Sequence, residues 1–187
     1  TTSVIAALTT DQVANLTTNQ VVAFTTASIS ALTTDGVAAM GTSQVVAIET
    51  RDLAAMSTTQ LGAMSTSQVR AIAAAGVAVL DTTQVSTLST TALSSLSNSN
   101  LTELTSAQIG VLTTDQIPSL LTSQVAALTT DQIGGLTSAQ LRSLTTAQLA
   151  SLTTDQLPSL SSAQVQAFTP TQVSLLSTVQ LTSLTAS

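Results

Sequence analysis

The chain repeats itself every eight residues, with no insertion or deletion. Written from Leu8, it reads LTTDQVAN, LTTNQVVA, FTTASISA, LTTDGVAA and onward to LSTVQLTS, which makes 22 complete octads over residues 8–183. Residues 1–7 are the tail of one more octad, and Leu184 opens another. A strict short period restricts the fold to a quasi-one-dimensional array in which each repeat packs on its neighbours. It predicts a single continuous array over residues 1–187.

Position 1 is apolar in every octad, from Leu8, Leu16 and Phe24 to Leu176. Position 6 is Val, Ile or Leu throughout, from Val13 to Leu181. Position 3 is Ser or Thr in 19 of 22 octads and position 5 is Gln in 16 of 22, so the polar positions are also under constraint. Position 8 is mostly Ala or Ser.

The run L-T-x-x-Q-[VIL] has the form of a helix start. With position 2 as N-cap, its hydroxyl accepts from the amide at position 5, and the Gln at position 5 reaches back to the N-cap amide, forming a capping box. Positions 1 and 6 then become the two partners of a hydrophobic staple. Asp11, Asp35, Asp115, Asp131 and Asp155 at position 4 fall in the first turn, where the helix dipole favours negative charge. Pro170 follows Thr169 and lands on the first helical position, which tolerates proline. The pattern predicts a short helix over positions 3 to 8 of each octad.

Such a helix cannot run on. Thr and Ser recur at every eighth residue, where in a helix interior they compete for backbone hydrogen bonds. Pro118 and Pro158 at position 7 remove a bond to the carbonyl four residues back, and Gly134-Gly135 weakens the same region. A continuous helix would also rotate the apolar face by about 80° per octad and leave no stripe. In a strand, positions 1 and 6 would face opposite sides. The expected fold class is therefore mainly α, a solenoid of very short capped helices, with a β-solenoid as the alternative. One octad cannot stand alone, since ordering eight backbones costs about 8–16 kcal/mol. Burying two large aliphatics returns about 3–6 kcal/mol. Positions 1 and 6 are expected inside, small position-8 residues where segments approach closely, and Thr, Ser and Gln on the outside. The octads from Ile48 to Leu96, with Glu49, Arg51, Asp52, Ala73-Ala74-Ala75-Gly76 and Asn98-Ser99-Asn100, are less regular but keep phase, which reads as drift within one array.

Composition closes off whole classes of chemistry. There is no His, Cys, Trp or Tyr, and the three basic residues are all arginines against nine acids, for a net charge of -6. Zinc, haem and iron–sulfur ligation of the usual kinds, and His-based catalytic triads, have no residues to draw on. Three cations cannot neutralise a row of phosphates, which argues against nucleic acid as a partner. No stretch is apolar for 18 residues, so no membrane span is expected. With 37 Thr and 26 Ser but only 6% charged residues, the surface is polar and nearly neutral, and such surfaces pack against copies of themselves with little repulsion. The chain starts at Thr1-Thr2-Ser3-Val4 with no signal peptide and stops in mid-pattern without polar caps, which fits a piece of a longer array.

Few residues offer themselves as sites. Asp115, Asp131 and Asp155 lie two and three octads apart and would form a hard-cation ladder if the superhelix brought them together, but independent first-turn acids are the simpler expectation. Met40, Met56 and Met64 at position 1 read as core filling. Arg70 and Arg142 at position 7 read as a solvated edge. Asn15-Leu16-Thr17 and Asn100-Leu101-Thr102 match the N-glycosylation pattern, as expected by chance in a Thr-rich chain. No catalytic, cofactor-binding or metal-ligating residue is assigned, no cofactor is expected, and an enzyme is not expected.

Residues Met40–Ile48 (M-G-T-S-Q-V-V-A-I) resemble the first-helix start of TAL-effector repeats, L-T-P-E-Q-V-V-A-I. That likeness covers one helix start, at a repeat length of eight and without a basic surface, so it implies shared capping and not DNA binding. Over its whole length the chain resembles the LTTxQ[VIL]xx octapeptide arrays of very large bacterial secreted or cell-surface proteins, of the adhesin or filament type. The resemblance implies an extracellular or cell-surface location and a stalk, fibre or filament role with lateral or head-to-tail self-association. The alternative expectation is a binding surface, in which Thr9-Thr10, Thr17-Thr18 and Thr33-Thr34 form ladders matched to ice, polysaccharide or mineral.

Overall fold

A computed structural model describes residues 2–72 and 74–184. Among the described residues the chain forms a succession of five- to seven-residue α-helices and two short 3-10 segments, with no strand. The mainly-α reading holds, and the β-solenoid alternative is set aside.

Each helix sits in its octad as its local chemistry requires. The helix Thr10–Ala14 is typical: Thr9 is the N-cap, its hydroxyl accepts from the Gln12 amide, and Gln12 Oε1 accepts from the Thr9 amide at 2.9 Å. The same reciprocal pair closes Thr18–Val22, Thr130–Gly134 and Thr146–Ser151. Asp81 replaces the hydroxyl cap with a carboxylate that accepts from the Gln84 amide at 2.7 Å. Pro170 opens the helix Pro170–Leu175 at its first position.

The helices stop by extension. The six residues from position 3 to position 8 keep helical or near-helical geometry. Position 1 of the next octad is extended, as at Leu32 (φ -62°, ψ 139°), and so is the following N-cap, as at Thr33 (φ -70°, ψ 159°). The position-1 amide still bonds back to the position-6 carbonyl, as in Leu16 to Val13 at 3.1 Å, a tightened last turn that satisfies an otherwise orphaned acceptor. Among the described residues none has positive φ, so no left-handed glycine cap is used. Position-8 hydroxyls finish the ends: Ser119, Ser143, Ser151 and Ser159 each donate to the carbonyl of the Gln three residues earlier, at 2.6–2.8 Å.

Two octads depart from the expected helix. Around Pro118 and Pro158 it is replaced by a hydrogen-bonded turn running into the 3-10 segments Ile117–Ser119 and Leu157–Ser159. Proline lacks the N–H that would close an α-helical bond, and the three-residue spacing avoids needing it.

The chain forms two compact units, Thr1–Leu96 and Ser97–Ser187. In the first, each helix packs on the helix three elements further along, as Thr10–Ala14 does on Thr34–Ala39 and Thr42–Val46 on Thr66–Ala71. In the second the same rule pairs Thr122–Ala127 with Thr146–Ser151 and Thr130–Gly134 with Leu157–Ser159. Each unit is thus a short helical solenoid whose apolar side chains line its axis. From Val13 through Leu157 every position-6 side chain is at most 3% exposed. Met40, Met56 and Met64 are buried with the other position-1 residues, as core filling requires.

The expectation that positions 1 and 6 are inside everywhere fails toward the two ends. Ile5, Leu8 and Leu16 are half-buried, and Val173 and Leu181 are 42% and 38% exposed. Among the described residues no later helix packs on those that carry Val173 and Leu181.

Candidate functional site: a glutamine clamp between circuits

Position 5 is where successive circuits are joined. Gln44 Nε2 donates to the carbonyls of Val13 and Leu16 at 2.8 and 2.7 Å. Gln60 reaches Ile29 and Leu32, and Gln68 reaches Val37 and Met40, all at 2.8 Å. In the second unit Gln140 reaches Ile109 and Leu112, at 2.9 and 2.7 Å, and Gln156 reaches Val125 and Leu128, at 3.0 and 2.7 Å. The partners lie 31 and 28 residues back in the chain, so one circuit takes between three and four octads.

One side chain therefore does two jobs. Gln140 Oε1 accepts from the Thr137 amide at 2.7 Å and fastens its own helix start, while its Nε2 fastens that helix to the circuit beneath. The carbonyl at position 1 sits on extended backbone between two helices, where no intrahelical partner exists, and the Gln amide supplies one. Sequence reasoning placed Gln on the outside. In fact Gln44, Gln60, Gln68, Gln84 and Gln140 are all buried, 2–5% exposed. The correction has a physical reason: an amide can be buried only when both its donor and its acceptor are used, and here both are. A signal was present in the sequence. A capping box accepts Glu as readily as Gln, yet position 5 is never Glu. Excluding Glu while admitting Gln selects for the N–H donors.

Close approach between circuits also relies on small residues. A Cβ on Gly135 would stand 2.7 Å from Ser106 Cβ and 2.9 Å from the Ser106 carbonyl oxygen. A Cβ on Gly110 would stand 3.1 Å from the Gly135 carbonyl. At these positions glycine is required by proximity to backbone, not by its conformational freedom.

The acidic candidates stay apart. Asp11, Asp35 and Asp131 lie in first helical turns, whereas Asp115 and Asp155 lie in the turns ahead of the 3-10 segments, and all five are exposed. Among the described residues no group of three or more acids gathers as a metal would need. Arg70 is exposed, with Nε 3.4 Å from the Ser95 carbonyl, and Arg142 is exposed as well. Asn15 caps its helix, its amide donating to the Asp11 carbonyl at 2.8 Å. Asn100 occupies a clamp position and is 6% exposed, so its side chain is part of the packing. Thr9, Thr10, Thr17, Thr18, Thr33 and Thr34 are exposed, as the ladder reading requires. A cleft of about 350 Å³ lined by Leu160, Ser161, Ser162, Val165, Gln166 and Leu184 holds no ionisable side chain.

This architecture defines a class: repeat proteins whose unit is a capped helix of little more than one turn, stacked by a buried glutamine. Within that class the chain matches the family model of the ALTTAQ repeat over residues 1–26, 45–80, 112–138 and 134–162, more than half its length, and it belongs to that family. No curated protein matches it. Among the described residues no helix is long and apolar enough to cross a membrane.

Proposed function

We propose that this structural repeat protein serves as a segment of an extracellular stalk, fibre or filament, and that it is not an enzyme. The observation that carries the reading is the buried Gln clamp. Each circuit is hydrogen-bonded to the one beneath it through side chains that recur with the repeat, so the array extends by adding octads without needing a new kind of contact. Such a device provides length and stiffness.

The surface supports the same reading. All charged residues except Asp52 are exposed, they are few, and hydroxyls predominate at positions 2 and 3, so lateral contact between copies meets little electrostatic repulsion. The likeness of the octads to those of bacterial secreted arrays supports an extracellular or cell-surface location. The test is negative-stain electron microscopy of the purified chain together with sedimentation over a concentration series. Fibres or rod-like particles whose mass grows with concentration are expected. Compact monomers at every concentration would remove the proposal.

A second reading rests on the exposed Thr pairs. Thr9-Thr10, Thr17-Thr18 and Thr33-Thr34 present hydroxyls at octad spacing, which suits a repetitive ligand such as polysaccharide, ice or mineral. Thermal hysteresis or glycan capture separates it from the first reading.

A further inference from the structure

Asp52 occupies the clamp position of the octad Ile48–Ala55, where most other octads carry Gln. It is 1% exposed, and neither carboxylate oxygen receives a hydrogen bond. The nearest cation is Arg51, whose Nε is 3.6 Å from Asp52 Oδ1 and whose Nη2 pairs with Glu49 at 2.9 Å. Arg51 is itself 63% exposed, so it offers little compensation for the buried charge.

The register of the neighbouring clamps says what Asp52 faces. Counting back 31 and 28 residues, as Gln44, Gln60 and Gln68 do, leads to Val21 and Phe24. Phe24 lies between two helices, and its carbonyl accepts no hydrogen bond among the described residues. The register thus sets a buried carboxylate without a hydrogen bond opposite a carbonyl without a donor, among the described residues. The same helix, Thr50–Ala54, also begins at Glu49, which makes no side-chain cap bond, and it has no Gln to close a box. Three fastenings found in most octads are missing from this one.

We propose that Asp52 is a proton-operated clamp. As the neutral acid its O–H donates to a carbonyl of the circuit beneath, replacing the Gln amide. As the carboxylate it leaves the octad unfastened, and the array opens there first. The proton comes from solvent. The helices packed most closely on Thr50–Ala54 among the described residues are Thr26–Ala31 and Ala74–Ala78, and neither contains a titratable residue; nor does Thr18–Val22, which the register brings beneath it. On its own element Arg51 opposes protonation and Glu49 favours it. Burial pushes the Asp52 carboxyl above the ordinary aspartate value, with Arg51 pulling the other way and Glu49 adding to the rise. A raised value in the folded state means that the stabilisation is complete below the ordinary carboxylate range and is lost as pH rises through the raised value.

The test uses the full chain. The side-chain carboxyl of Asp52 is titrated by carbon NMR, and hydrogen-exchange protection of Leu53 is followed over the same pH range, with the helix Thr82–Ser86 as internal reference. Asp52 is expected to titrate above an ordinary aspartate. Leu53 protection is expected to fall by about tenfold per unit of that difference as the group ionises. Asp52→Gln is expected to abolish the pH dependence and hold protection at or above the acid level, and Asp52→Asn to abolish it at a lower level. An ordinary titration of Asp52, or Leu53 protection that ignores it, overturns the proposal. The wild-type measurements decide this whether or not either variant folds.

Discussion

Replacing Gln140 by Met is the sharpest test of the clamp. The side chain is 2% exposed and makes three hydrogen bonds, two from Nε2 to Ile109 and Leu112 and one at Oε1 from Thr137. Met matches its length and fills its space, so the change removes polar contacts and leaves the packing. The Ile109 carbonyl keeps a partner, since it also accepts from the Leu112 amide at 3.2 Å. The Leu112 carbonyl loses its donor entirely, and the Thr137 amide loses its acceptor at a partly buried site. An abandoned buried polar group costs about 1–3 kcal/mol, with the Thr137 amide at the low end because water reaches it, and the apolar gain of Met offsets part of the sum. The expected net loss is about 2–3 kcal/mol. Gln12 provides the control. It is exposed, its Nε2 has no partner among the described residues, and it makes only the local pair with Thr9, so Gln12→Met should cost well under half as much. Urea unfolding followed by helical circular dichroism compares the two. Hydrogen exchange at Leu112 and Leu141 locates the damage, because an array need not unfold as one unit. Equal losses at positions 140 and 12 would show that Gln acts only as a helix cap and would refute the clamp.

Other outcomes follow from the same contacts. Gly135→Ala drives a Cβ into Ser106 and should destabilise the second unit by about 1–3 kcal/mol, whereas Gly62→Ala meets nothing within 4 Å and should stabilise the first by about 0.5–1 kcal/mol; thermal melts give both signs. In the first unit Ser28, Gly36, Asp52, Gly76 and Ala92 stand at position 5, while from Gln108 to Gln180 every position-5 residue is Gln. Native-state exchange should therefore find the first unit opening at lower free energy than the second, and the reverse order would contradict the ladder. Gln140→Glu places a carboxylate against two carbonyl oxygens and should be more damaging than Gln140→Met at neutral pH, recovering toward it in acid; a pH-independent loss would argue against a donor role.

Much of this was legible from eight residues at a time. The cap at position 2, the Gln reaching back from position 5, Pro170 on the first helical position and the staple residues at positions 1 and 6 all follow from hydrogen bonds and contacts within one octad. The proline octads show the limit of that reasoning. Pro118 and Pro158 announced a broken helix, but that Ile117 and Leu157 stay as buried as the other position-6 residues shows only in the folded chain. Asp52 shows a second limit. Its charge marked an irregular octad, while its burial without a hydrogen bond among the described residues shows only in the folded chain.

The octad alone determined that this chain is a row of brief helices, where each begins and ends, and which two side chains per repeat avoid water. Those outcomes rest on interactions closed within one repeat. Only the tertiary structure decided that a circuit takes between three and four octads, that Gln faces inward onto carbonyls 28 and 31 residues earlier, and that the chain gathers into two units. The closing of a circuit depends on the angles at two extended residues per octad. The allowed basin for such residues is tens of degrees wide, so small choices summed over several repeats set a geometry that no single octad specifies.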